Sequence, residues 1–116
     1  MIVVVQGTKN FNDYEIFLSG IRSALIRMAE DDKEFIVYSA GPLKINSMAM
    51  EFLNVTERSM KAKGIKTKLV KVPPSWIKQN YTMIDYYAFY CVPKETVPDS
   101  VTSIGDKDVD VQIYRY

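Results

Sequence analysis

Residues 2–6, Ile2-Val3-Val4-Val5-Gln6, form an almost unbroken β-branched apolar run, the pattern of a strand covered on both faces. The turn residues Gly7-Thr8-Lys9-Asn10 follow. Tyr14, Phe17, Leu18, Ile21, Ala24, Leu25 and Met28 then recur at helical spacing and draw one apolar stripe. Asn12 as N-cap with Glu15 three residues on completes a capping box, and Asp31-Asp32 closes the helix. Residues 35–39 are the second strand and end in Ala40-Gly41-Pro42. A second helix capped by Asn46 would bury Met48, Ala49, Phe52, Val55 and Met60, and Gly64 stops it in the left-handed position. Residues 66–72, with Lys66, Lys68 and Lys71, read as an edge strand. Pro73-Pro74-Ser75 opens a shorter helix to about residue 85, with Trp76, Asn80, Met83 and Ile84 on a related face. Residues 86–92 read as a buried strand and residues 93–108 as a loop. Residues 109–116 alternate as a final strand suited to a sheet edge or a homodimer contact.

That order, without repeat, low-complexity tract or linker, predicts a single α/β domain over residues 1–116. Right-handed crossovers make it a Rossmann-like, doubly wound, mostly parallel sheet of about five strands, order 3-2-1-4-5, flanked by helices. Ligands of such sheets bind beyond the carboxyl ends of the strands where strand order reverses. The loops at Gly7, Gly41 and Pro93 are expected to converge there.

Composition narrows the chemistry. Lys+Arg number 15 against 14 Asp+Glu, a net charge of +1, which argues against a nucleic-acid partner. No apolar run is long enough to span a bilayer, so no membrane partner is expected, and the start lacks the basic region of a signal peptide. The lone Cys91 fits a reducing, cytoplasmic setting, and its apolar surroundings predict an inert buried thiol. The absence of histidine removes the commonest general base and metal ligand. Asp106-Lys107-Asp108 with Asp110 lacks the glycine and bidentate glutamate of a calcium loop and reads as a solvated turn, so neither a metal nor a cofactor is implied.

Two loops carry the candidate binding chemistry. In the first, the Thr8 hydroxyl, the Lys9 ammonium and the amides of the following helix can meet an anion. The second, Ser39-Ala40-Gly41-Pro42-Leu43-Lys44-Ile45-Asn46, is another small-residue strand-to-helix turn. Tyr81, Tyr86, Tyr87, Phe89 and Tyr90 can stack on a base but read better as strand core. The lysines at 61, 63, 66, 68 and 71 are explained by helix-dipole complementarity and edge protection.

Gly7-Thr8-Lys9-Asn10-Phe11-Asn12-Asp13, after an apolar strand, resembles the opening of the SLOG superfamily, in particular its YspA/YpsA-like branch, with Lys9 where that family has arginine. The second loop resembles the family's Ser-Gly-Gly-Ala-x-Gly-Ala-Asp signature, keeping one glycine and placing Asn46 for the acid. Gln79-Asn80-Tyr81-Thr82-Met83-Ile84 resembles its Arg-Asn-x-x-Met-Ile/Leu segment, with Trp76 upstream. The resemblance covers about residues 2–92. It implies a nucleotide-derived small molecule, with Gly7, Thr8, Lys9, Ser39, Ala40, Gly41 and Pro42 on its phosphate side and Asn46 and Asn80 as polar contacts.

Within the same superfamily, LOG phosphoribohydrolases carry Pro-Gly-Gly-x-Gly-Thr-x-x-Glu after the fourth strand, whereas this chain has Pro93-Lys94-Glu95-Thr96-Val97-Pro98. Tyr38-Ser39-Ala40-Gly41-Pro42 is also similar to the Tyr-Leu-Ala-Gly-Pro of nucleoside deoxyribosyltransferases. Three readings therefore stand side by side. One is a nucleotide-ligand binding protein. Another is a ligand-free protein-interaction module, of the kind a phage or mobile element turns on a host protein. The third is an N-glycosidic-bond enzyme with Glu51, Asp85 or Glu95 as its acid.

Overall fold

The computed structural model describes residues 1–115; Tyr116, which closes the expected last strand, lies outside them. The elements run β1 (Ile2–Gly7), α1 (Tyr14–Ile26), β2 (Glu34–Ser39), α2 (Leu43–Ala62), β3 (Lys66–Lys71) and α3 (Ser75–Asn80). A 3-10 turn (Tyr81–Met83), β4 (Tyr86–Cys91), α4 (Asp99–Gly105) and β5 (Val111–Arg115) follow. The five strands form one sheet in the order β3-β2-β1-β4-β5, and every pairing is parallel. This is the topology the hydrophobic pattern predicts.

The strand order dictates where the helices lie. Right-handed crossovers carry the chain from β1 out to β3 over one face and, after the reversal, from β3 to β5 over the other. On the first face Val3, Val5, Phe35, Val37, Tyr86, Ala88 and Tyr90 pack with Phe17, Ile21 and Ala24 of α1 and with Ala49, Phe52 and Leu53 of α2. On the second, Val4, Tyr87, Phe89 and Cys91 pack with Ile77 of α3 and with Val101 and Ile104 of α4. β4 has neighbours on both sides and helices on both faces, so all six of its residues are buried.

Local chemistry moves several boundaries. Asp13, not Asn12, caps α1, its Oδ1 accepting from the Ile16 amide at 3.0 Å. α1 ends at Ile26 rather than near Asp31, because Arg27 turns back to the Ser23 carbonyl (2.8 Å) and pairs with Asp110 (2.9 Å). Asn46 is no cap: α2 starts at Leu43 behind Pro42, which puts Asn46 in the first turn. Val55 is 70% exposed, since α2 presents Phe52 and Leu53 to the sheet and leaves the stripe through Val55 to solvent. The helix expected to reach residue 85 is a single short α-helix with a 3-10 turn, and Met83 is exposed. The expected loop at 93–108 contains α4, whose apolar anchors Val101 and Ile104 are too few to draw a stripe in sequence. Gly64 does take the left-handed conformation that ends α2.

One contact sets how closely α1 approaches the sheet. The Tyr90 ring stands on the helix at Gly20, and its hydroxyl donates to the Phe17 carbonyl at 2.8 Å. A Cβ on Gly20 would lie 2.2 Å from Tyr90 Oη and 2.8 Å from Cζ. Gly20→Ala should therefore cost about 2 kcal/mol through overpacking, despite the better helix propensity of alanine. The expected fall in melting temperature is about 8 °C for a domain of this size. Adding Tyr90→Phe should recover part of it, which a double-mutant cycle by calorimetry reads directly.

Candidate functional site

The loops at the carboxyl ends of β1 and β2 do come together, and they are bonded to each other. The Gly7 amide donates to the Gly41 carbonyl at 3.1 Å, and the Ala40 amide donates to the Val5 carbonyl at 2.9 Å. Ser39, buried, donates its hydroxyl to the Asn46 side chain. The loops after β1 and β4 are stitched likewise: the Thr8 amide donates to the Tyr90 carbonyl (2.9 Å) and the Val92 amide to Thr8 Oγ1 (3.4 Å). A Cβ on Gly7 would meet Ile45 Cδ1 at 2.8 Å, so this glycine admits the first turn of α2 against the strand end. At the N-terminus of α1 the Ile16 amide already donates to the Asp13 carboxylate. Lys9 is exposed beside this assembly, Pro42 precedes α2, and Asn80 stands apart, donating to the Trp76 carbonyl at 2.9 Å.

A cleft opens instead on the second face, between α3 and α4. It measures about 200 Å³ and is lined by Gln6, Pro74, Ile77, Lys78, Tyr87, Ser100, Ser103, Ile104 and Lys107. Its origin is geometric. α3 has six residues and α4 seven, against 20 in α2, so the two short helices anchor at Ile77 and at Val101 and Ile104 without closing over β1. Trp76, stacked on Tyr38 at 4.3 Å between ring centroids, holds α3 against the β2 side.

The polar groups of this cleft are organised from its floor. Tyr87 crosses from β4 to donate its hydroxyl to Gln6 Oε1. Burial pushes the Tyr87 hydroxyl well above its ordinary value, so it stays a donor at neutral pH. Lys78 and Lys107 supply positive charge from opposite walls, and Lys107 lies over the Tyr81 ring at 5.0 Å from its centroid. The serines of α4 add hydroxyls, while Ile77, Ile104 and Pro74 give the apolar surface that a ring can cover. No carboxylate is among the lining residues.

The three candidate acids lie elsewhere. Asp85 accepts from the Ile2 amide at 2.7 Å, at the amino end of the sheet. Glu51 is exposed on α2, over the opposite face. Glu95 sits in the loop after β4, where its carbonyl accepts from Cys91 Sγ at 3.1 Å and its Oε1 is buried without a partner. Cys91 is fully buried, as expected of an inert thiol, and Tyr86, Tyr87, Phe89 and Tyr90 are core rather than a stacking surface. Among the described residues no cluster of acids, cysteines or histidines fit to hold a metal is present, and no helix is long and apolar enough to cross a membrane.

No protein-family model, curated protein or solved structure matches the chain. The functional reading therefore rests on the fold and on this cleft. Gln6 was within reach of sequence reasoning as the last side chain before the first loop. Lys78, Ser100, Ser103 and Lys107 were not, because nothing in their spacing relates two short helices separated by a buried strand.

The buried tyrosines make stability depend on alkaline pH. Burial raises Tyr86, Tyr87 and Tyr90 above the ordinary value of 10.0. The unfolded chain thus loses these protons first, and the stability they contribute is complete below pH 10 and falls as pH rises beyond it. Urea melts above pH 10 should show a steadily falling midpoint, with part of the tyrosinate absorbance appearing only as the protein unfolds. Full tyrosine ionisation near pH 10 in the native protein would contradict this.

Proposed function

We propose that the protein binds a small anionic, nucleotide-derived ligand in the cleft between α3 and α4, as a sensor, sequestering or carrier protein. The observation that carries the reading is the cleft's lining: two lysines and two serines facing across an apolar slot, with the Gln6 amide held by Tyr87 at its floor. A phosphate is matched by Lys78, Lys107 and the α4 hydroxyls, and a base or ribose by the isoleucines and the amide. It lies over β1, beside the reversal of strand order, but on the face of the sheet rather than beyond the carboxyl ends where doubly wound sheets generally bind ligands. The volume is below the roughly 300–1,000 Å³ of sites that engulf a drug-sized molecule. One ring or sugar-phosphate portion would enter while the rest stays outside.

The resemblance of the first loop to the SLOG superfamily supports the same ligand class, with a changed location. Gln6 immediately precedes Gly7, Thr8 and Lys9, so a ligand reaching out of the cleft toward the carboxyl ends would meet the exposed Lys9. Binding is favoured over N-glycosidic cleavage because Glu51, Asp85 and Glu95 are not among the residues lining the cleft.

Thermal-shift measurements with nucleoside monophosphates, cyclic nucleotides, NAD and ADP-ribose test this. A ligand at a hundred times its dissociation constant adds roughly 2.7 kcal/mol, a rise of several degrees. Lys78→Glu and Lys107→Glu should each weaken binding about tenfold or more, and Ser103→Trp should abolish it by filling the slot, with the unliganded melting temperature nearly unchanged. Stabilisation that survives Ser103→Trp would move the ligand to the β1 and β2 loops, and no stabilisation across the panel would overturn the reading.

A further inference from the structure

Away from the cleft, β3 leaves one edge of the sheet unpaired, and an open groove of about 610 Å³ runs between that edge and α2. We propose that this edge accepts an extended segment of a partner protein as a sixth strand, and that the segment alternates acidic and apolar residues.

The backbone supplies the first requirement. The Lys66 amide donates to Lys33 and the Val72 amide to Ser39, both on the β2 side. In a parallel strand the pairing alternates, so the amides and carbonyls of Thr67, Leu69 and Lys71 point outward, free for another strand. The side chains supply the alternation. Leu69 packs on the α2 face of the sheet, where Met50 (45% exposed) and Leu53 line the groove beside it. An incoming side chain beside Leu69 meets the apolar surface of Met50 and Leu53; Glu57 disfavours an acid toward the amino end of β3, and Lys71 stands on this face at the last position of the strand.

One residue on, Lys66, Lys68 and Val70 project from the opposite face. Lys68 stands beside Ile36 of β2, and Lys66 beside Glu34. Among the described residues no carboxylate forms an ion pair with Lys66, Lys68 or Lys71, nor with Lys61 and Lys63 at the end of α2. An acidic residue directly opposite Lys68 makes the favourable cross-strand pair, while a basic one is repelled. Lysines guard an edge against indiscriminate pairing, and the same charges select an acidic strand.

The test uses the full chain and a labelled synthetic peptide alternating glutamate with valine, with a control of equal charge carrying proline at its centre. Fluorescence polarisation should show binding of the alternating peptide only. Hydrogen exchange of the Thr67, Leu69 and Lys71 amides should slow in its presence. Lys68→Glu, an exposed edge substitution checked by an unchanged circular-dichroism melt, should weaken binding at least tenfold. Equal binding of the proline peptide would reduce the effect to charge alone and overturn the proposal, as would no binding or unprotected β3 amides. A self-dimer that Lys68→Glu dissolves would assign the edge to a second copy and overturn it too. Ser103→Trp, which fills the cleft, should leave peptide binding intact, so this result and the ligand reading stand or fall separately.

Discussion

Tyr90 and Gly20 fix the distance between α1 and the centre of the sheet. A tyrosine on a fully buried strand has to place its ring and satisfy its hydroxyl, and the Phe17 carbonyl on α1 meets the second need only if the helix comes close enough. Glycine at position 20 is what makes that distance attainable. With α1 seated, Phe11 and Phe17 close around the Tyr90 ring at 5.2 and 5.0 Å between centroids, and Tyr114 of β5 stacks on it at 5.4 Å. The loop after β1 and the last strand thus depend on the same side chain. Tyr86, two positions earlier on that face, hydrogen-bonds Tyr114 and lies under the Arg27 guanidinium, 4.8 Å from the ring centroid.

The two faces of the sheet are unequal, and the candidate site follows from that inequality. α1 and α2 cover one face with 13 and 20 residues; α3 and α4 cover the other with six and seven. Two short helices cannot meet over β1, and the floor they leave open carries the Gln6 and Tyr87 pair. Meanwhile the loops at the carboxyl ends of β1, β2 and β4 spend their hydrogen bonds on one another. The fold keeps the crossover geometry of a ligand-binding sheet but opens on its face rather than at its rim.

Much of the architecture was legible before any coordinates. The valine run of β1 and the continuous apolar stretch of β4 mark central strands, the lysines of β3 mark an edge, and helical spacing between them implies right-handed crossovers and the order 3-2-1-4-5. The candidate site was less legible. The small and polar residues Gly7, Thr8, Ser39, Gly41 and Asn46 mark two neighbouring loops, yet their types do not tell whether they bind one another or something else. Val55 shows the same limit: its type and spacing admit the core, but the helix needs only part of an apolar stripe, and the stripe through Phe52 and Leu53 won.

By itself, then, the amino-acid order determined the five strands, the three helices before β4, the crossover hand, and which strands lie inside or at an edge, because these depend on periodicity and near-neighbour sterics; α4 was left to the tertiary structure. Tertiary structure alone decided that Gly7 admits Ile45 and Gly20 admits Tyr90, and that Lys78, Ser100, Ser103 and Lys107 share one cleft. Each of those depends on distances between segments far apart in the chain, set when side chains of particular volume pack on a common sheet.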